Sequence, residues 1–192
     1  PSRGSVGASG DLAPLAHAAL VMIGEGEAMV GDDGPMPASE ALAATGITPI
    51  TLAAKEGLAL INGTHLMAAT LAIGCHDINN ILAAAQSAAA MSIDASRASA
   101  GPLDPRIHAI RNQAGQQAVT ATVLKHLQGS TILADHLEDD PRVQDPYCLR
   151  CIPQVLGAAC DSLCHVRTIV EAELGAVTDN PLVFAQDEAI LS

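Results

Sequence analysis

Residues 64–98 read THLMAATLAIGCHDINNILAAAQSAAAMSIDASRA. Alanine recurs throughout, and formal charge enters only at Asp77, Asp94 and Arg97. Alanine is the strongest helix former and lets neighbouring helices approach closely. So long a stretch with so little charge predicts one long helix, buried on most of its sides. The composition agrees. The chain has 192 residues, 49% hydrophobic but only 1% aromatic, with Tyr147 and Phe184 as its lone Tyr and Phe and no Trp. A core without large rings must be filled by Ala, Leu, Ile and Val. The expected fold is therefore mainly α: long Ala-rich helices in a bundle, with a small hairpin and short strands.

Outward from that helix the punctuation is clear. Gly101-Pro102 and Pro105 end it, and Ile107 to Gln128 reads as one or two helices interrupted near Gly115. Residues 129–146 are polar and read as an exposed loop. Pro146 and Pro153 flank a short turn holding Tyr147 and Arg150. Val155 to Leu174 carries helical apolar spacing and Gly175 closes it. Thr178-Asp179-Asn180-Pro181 is a turn into a strand, Leu182-Val183-Phe184. Towards the start, residues 1–11 are loop, and Asp11 is the expected cap of a helix running to about Ile23. Gly31-Asp32-Asp33-Gly34 marks a hairpin within residues 27–37. Ser39 is expected to cap a helix from Glu40 to Thr45, ended by Gly46, with the next helix starting near Ala53.

The formal charge is 9 − 21 = −12, which argues against nucleic acid and anionic membrane as partners. No uninterrupted apolar run reaches the roughly 18 residues that span a bilayer. The longest, near residues 12–23 and 81–93, are broken by polar residues and Pro14. Five cysteines and no secretory signal favour reduced thiols and a cytoplasmic protein. Cys148-x-x-Cys151 and Cys160-x-x-x-Cys164-His165 have spacings that zinc accepts. The gap between the pairs is short, and Arg150 and Ile152-Pro153 crowd the first. Packed thiols and no metal is the reading adopted. The chain opens inside a glycine-rich loop and closes without capping logic, so residues 1–192 are expected to be one fragment of a longer domain.

The opening loop, GSVGASGDLAPL at residues 4–15, surrounds Ser9 with glycines. A phosphate cradle would need GxGxxG or GxxxxGK[ST], and neither is present. A nucleophile elbow would need GxSxG after a strand. A plain glycine-rich turn before a helix stays open. So does a backbone that reacts with itself. If Ala8-Ser9-Gly10 is held in a tight bend, the Gly10 nitrogen can attack the Ala8 carbonyl, since Gly10 has no Cβ to obstruct the approach. Loss of two waters then gives an imidazolone ring with Ser9 converted to a dehydroalanine.

Here the sequence resembles the aromatic amino acid ammonia-lyase family. Gly4 to Ala16 is similar to the family's prosthetic-group motif. Three further blocks follow in the same order: Lys55 to Thr64, Gln144 to Cys151 with Pro153-Gln154-Val155, and Ala176 to Phe184. The resemblance implies a 4-methylidene-imidazole-5-one group formed autocatalytically from Ala8, Ser9 and Gly10, with no metal or external cofactor. It implies elimination of ammonia from an amino acid after removal of a β-proton, by a tyrosine base lying before residue 1. It also implies a homotetramer whose sites are shared between subunits, so that the fragment alone is inactive.

Leu149-Arg150-Cys151 and Asn180 to Phe184 are most similar to the branch that converts L-histidine to urocanate. Tyrosine and phenylalanine lyases and aminomutases are the enzyme alternatives. An inactive helical assembly piece is the non-enzyme one. Cys148, His65 and Ile152 depart from the common pattern, and His65 bears on the pocket edge. By resemblance, Tyr147 hydrogen-bonds near the prosthetic group, and Arg150 clamps the substrate carboxylate through its planar guanidinium. Asn62 and Gln144 supply neutral hydrogen bonds to the prosthetic group and the amine, and Asn180 positions the site. Packing, surface pairing and turn capping are the structural alternatives for these residues.

Overall fold

The computed structural model describes Gly4, residues 10–135 and residues 140–192. In chain order its elements are α1 (Ala13–Met22), β1 (Glu27–Ala28), β2 (Met36–Pro37), α2 (Ala38–Ala44), α3 (Glu56–Ile61) and α4 (His65–Ala95). Then follow α5 (Pro105–Arg111), α6 (Ala114–Leu127), α7 (Thr131–Asp135), α8 (Tyr147–Arg150), α9 (Ile152–Leu174), β3 (Leu182–Phe184) and β4 (Ala189–Leu191). The fold is mainly helical, as the composition predicts, with two small hairpins where the sequence predicts one. The chain forms two compact units, Pro1–Leu71 with Ala172–Ser192, and Ala72–Glu171.

In the first unit α1 packs against α3. The cap of α1 is Leu12, whose carbonyl accepts the Ala16 N–H at 2.9 Å, and not Asp11. Pro14 lies in the first turn, where a missing N–H leaves no intrahelical bond unmade. The β1–β2 hairpin forms as its turn residues predict, pairing Glu27 with Pro37 and Ala28 with Met36. It also starts α2. The Ala38 N–H donates to the Gly26 carbonyl at 3.0 Å and Pro37 holds the cap position, so the expected Ser39 cap is not used. Gly46, at φ +71°, gives the left-handed stop expected after α2. The α3 helix starts later than Ala53 because the Glu56 carboxylate accepts the Ala53 N–H at 2.6 Å and holds that stretch as a loop. The β3 strand has a partner that the sequence reading missed: β4 pairs with it antiparallel, Val183 opposite Ile190.

The second unit has its core where α4, α6 and the segment after α4 meet. Ala90, Ile93, Ala98, Leu103, Val119, Val123 and Leu127 are buried together, with Leu149 and Ile152 packed on the edge. The stretch is two helices parted near Gly115, as the sequence predicts, with the break itself at Asn112, left-handed at φ 53°. Gly115 lies inside α6 because its bare Cα is needed elsewhere: a Cβ there would stand 2.2 Å from the Gly157 carbonyl oxygen of α9. The stretch expected to be all loop contains α7, whose Leu133 N–H is taken by the Ser130 hydroxyl at 3.1 Å.

The longest helix is where the pattern predicts, but it is not buried on most sides. Ile73, Ile81 and Met91 are 64%, 64% and 72% exposed. By length and mean hydropathy (1.5), the helical stretch Glu56–Ala95 is long and apolar enough to cross a membrane. Isolated polar residues break each apolar run along it while its mean hydropathy stays high. The core helix of a soluble protein meets the same criterion.

Candidate functional site

The sequence-predicted site residues fall on both units. In the first, the segment 55–64 is sewn to the segment 173–180. Lys55, left-handed at φ 74°, opens α3 and forms an ion pair with Asp179. The Thr64 N–H donates to Thr178 Oγ1 at 3.1 Å, and the Thr64 hydroxyl donates to Glu173. Gly63 is closely packed at this seam: a Cβ would stand 2.6 Å from the His65 ring and 2.8 Å from Thr178 Oγ1, so those side chains would have to shift. These contacts bring two predicted residues together. Asn62 Nδ2 donates to the Asn180 carbonyl oxygen at 2.9 Å. Asn180 therefore contributes its main chain here. The bond also orients the Asn62 amide, leaving its Oδ1 as an acceptor without a partner among the described residues. A cavity of about 320 Å³ opens beside the seam, lined by Lys55, Val177, Asp179, Leu182, Val183 and Phe184.

Gly10 precedes α1, and its carbonyl accepts the Leu12 N–H at 3.1 Å. Among the described residues, chain neighbours aside, nothing stands within 4 Å of where a Gly10 Cβ would be. Ala8 and Ser9 lie outside the described residues.

In the second unit, Gln144, Tyr147 and Arg150 sit on and just before α8. Gln144 is exposed, and the Tyr147 ring is 70% exposed, so the reading of Tyr147 as a half-buried packing residue does not hold. The Arg150 guanidinium lies over that ring, 5.2 Å from its centroid, within reach of a cation–π attraction. Arg150 Nε donates to the Asp145 carbonyl at 2.9 Å. It is not a surface ion pair: among the described residues no carboxylate is paired with it. Its planar donors remain suited to a carboxylate ligand.

Two features escaped the sequence reading. The Lys55–Asp179 pair joins opposite charges from two of the matched blocks, and that complementarity was the available signal. Asp145 is 8% exposed, in a segment expected to be solvated throughout. A lone acid between Gln144 and Pro146 gives no hint of burial.

The thiols are all free, with Cys75 buried and Cys148 and Cys164 exposed. Burial, helped by the neighbouring Cys164 and Asp161, pushes the Cys160 thiol up and keeps it protonated. Among the described residues no three His, Cys, Asp or Glu side chains gather as a metal site. A cavity of about 440 Å³ in the second unit, lined by Met91, Asp94, His126 and Ser130 among others, holds none of the predicted residues.

Comparison with known proteins gives a consistent result. A family model described as aromatic amino acid lyase matches residues 1–192. Histidine ammonia-lyase of Bradyrhizobium diazoefficiens is 52% identical over all of this chain, and that of Roseobacter denitrificans 53%. The chain spans 37% of the length of each. The crystal structure of histidine ammonia-lyase from Trypanosoma cruzi superposes on the whole chain with a TM-score of 0.78 at 40% identity, using 35% of that structure.

Proposed function

Because the chain belongs to the aromatic amino acid lyase family, we propose that it is part of an enzyme that eliminates ammonia from L-histidine to give urocanate. The observation that carries this reading is the similarity to two histidine ammonia-lyases along the whole chain at 52% and 53% identity.

The proposed roles follow from the chemistry of each group. Arg150 binds the substrate carboxylate. Its Nε is committed to Asp145, which leaves both Nη groups to pair with two carboxylate oxygens. Asn62 presents Oδ1, because its Nδ2 is committed to Asn180, and so accepts from an amine or ring N–H. Tyr147, exposed and held against Arg150, offers its hydroxyl as donor or acceptor. Gln144 adds a neutral amide from the same segment. Asn180 acts by positioning Asn62 through its carbonyl.

The residues fit a 4-methylidene-imidazole-5-one made from Ala8, Ser9 and Gly10. Gly10 carries no Cβ to crowd its nitrogen, and Asn62, Gln144 and Tyr147 are by type neutral hydrogen-bonding groups suited to such a ring. The group supplies an electrophilic alkene that converts the substrate amine into a leaving group. The substrate is a small amino acid, the assembly a homotetramer, and the location cytoplasmic, with no nucleic acid or membrane involved. The exposed apolar residues along α4 support an assembly that covers them.

The test uses the intact enzyme with L-histidine, L-tyrosine and L-phenylalanine, followed by the ultraviolet absorbance of the unsaturated acid each releases. Urocanate from histidine alone is expected. Turnover of tyrosine or phenylalanine instead would overturn the substrate assignment. In Ser9→Ala the peptide bearing residues 8–10 should no longer lose two waters, and turnover should be lost with it.

A further inference from the structure

We infer that Asp145, together with Arg142, is a positioning device for the carboxylate-binding Arg150. The inference rests on the proposed role of Arg150 as the substrate clamp.

The residue sits at a joint. Its side chain faces the segment that follows α4, and its main chain faces α8. The side chain is 5% exposed. A buried carboxylate is costly unless it is paired and hydrogen-bonded. Here Oδ2 accepts the Ser99 N–H at 2.7 Å. Oδ1 lies 3.3 Å from Arg142 Nη1, an ion pair without hydrogen-bond alignment. Arg142 is itself anchored. Its Nη1 donates to the Ser96 carbonyl at 3.2 Å and its Nη2 to the Arg97 carbonyl. Its Nε donates to Asp140 Oδ1 at 2.8 Å. Asp145 is thereby fixed to the stretch from Ser96 to Ser99.

Its backbone carbonyl, fixed by the same contacts, accepts Arg150 Nε. The next residue, Pro146, starts α8: its carbonyl accepts the N–H groups of Leu149 at 3.0 Å and Arg150 at 3.3 Å. One edge of the guanidinium is therefore held by Asp145 and one face by the Tyr147 ring. Among the described residues neither Nη group has a hydrogen-bond partner, so the remaining edge keeps its donors available for a carboxylate. Asp145 touches neither substrate nor prosthetic group in this scheme. It acts by setting where that edge lies.

The test compares wild-type intact enzyme with Asp145→Asn. The variant keeps an acceptor for Ser99 but turns an amide towards Arg142. Two competitive inhibitors are measured, 3-(imidazol-4-yl)propanoate and 4-propylimidazole, which share the ring and differ in the carboxylate. Loss of a well-placed charged hydrogen bond corresponds to about a tenfold change or more. The inhibition constant of the propanoate should rise by about that factor, and that of propylimidazole should stay within about twofold. The KM for histidine should rise in parallel, while the peptide bearing residues 8–10 still shows loss of two waters.

If Asp145→Asn fails to fold, Arg142→Gln, at a more exposed position, replaces it and should shift the same ratio in the same direction. Equal shifts for both inhibitors, or none for either, would overturn the positioning role alone. A wild-type enzyme that binds neither compound would overturn the histidine reading and this inference with it.

Discussion

At the scale of single residues, the second unit carries two polar groups with different consequences. His108 is fully buried. Its Nε2 lies 2.9 Å from the Pro102 carbonyl and its Nδ1 2.8 Å from Gln116 Nε2. A neutral imidazole that donates from Nε2 and accepts at Nδ1 satisfies both partners. Asp104, by contrast, is on the surface. It caps α5 by accepting the Arg106 N–H at 2.9 Å, and it also pairs with the Arg106 side chain. Hydrogen bonds from the Arg106 side chain, then from its backbone N–H, lower the Asp104 pKa from 3.8 to about 2. A lowered carboxylate pKa means that the folded state favours the ion. Its contribution to stability is complete above the ordinary value of 3.8 and is lost as the pH falls through about 2. In an NMR titration the Asp104 carboxyl should therefore titrate near 2. In Arg106→Ala it should move up towards the ordinary value. An unchanged titration would show that the backbone cap, not the guanidinium, sets the shift.

At the scale of elements, the sharpest constraint is the contact between α6 and α9. A Cβ on Gly157 would stand 2.5 Å from the Gln116 nitrogen and 2.6 Å from its Cα, both main-chain atoms that cannot swing aside. Gly157→Ala must push the two helices apart. Overpacking of this kind costs about 1–3 kcal/mol, read as a lower urea midpoint with unchanged slope. The sequence did not expose this contact. Gly115 looked like a helix break because glycine is a poor helix former, yet its lack of a side chain serves a partner 42 residues along the chain, as the difference of the two positions gives. The capping errors have a similar source. Asp11 and Ser39 are good caps by type, but the neighbouring backbone determines where each helix starts. What local chemistry alone decides was legible: the extent of α4, the β1–β2 turn, the Gly46 stop and the body of α9. Of the site, the sequence supplied the residue types. It could not supply the pairing of Asn62 with Asn180 or the burial of Asp145, since both depend on contacts between distant segments.

At the scale of the whole molecule, α4 poses the remaining question. An Ala-, Leu-, Ile- and Met-rich helix says that its faces should be covered, but not by what. Ile73, Ile78, Ile81 and Met91 are all exposed on this one helix in a single chain, more large apolar surface than soluble monomers commonly leave open. Three covers would serve: further parts of the same protein, other copies of it, or lipid. The proposed homotetramer selects the second. Ile81, 64% exposed, is the position at which to test it, because a charge there meets water in a monomer and a buried apolar contact in an assembly. Burying an unpaired carboxylate costs several kcal/mol. In the intact protein, Ile81→Glu should therefore shift the tetramer to smaller species, measured by light scattering during gel filtration. Urocanate production should fall together with the tetramer if the sites are shared between subunits. A tetramer that survives Ile81→Glu unchanged would place this face of α4 against solvent or the protein's own chain. Recovery of the wild-type protein only with detergent or vesicles would point to lipid and overturn the assembly reading.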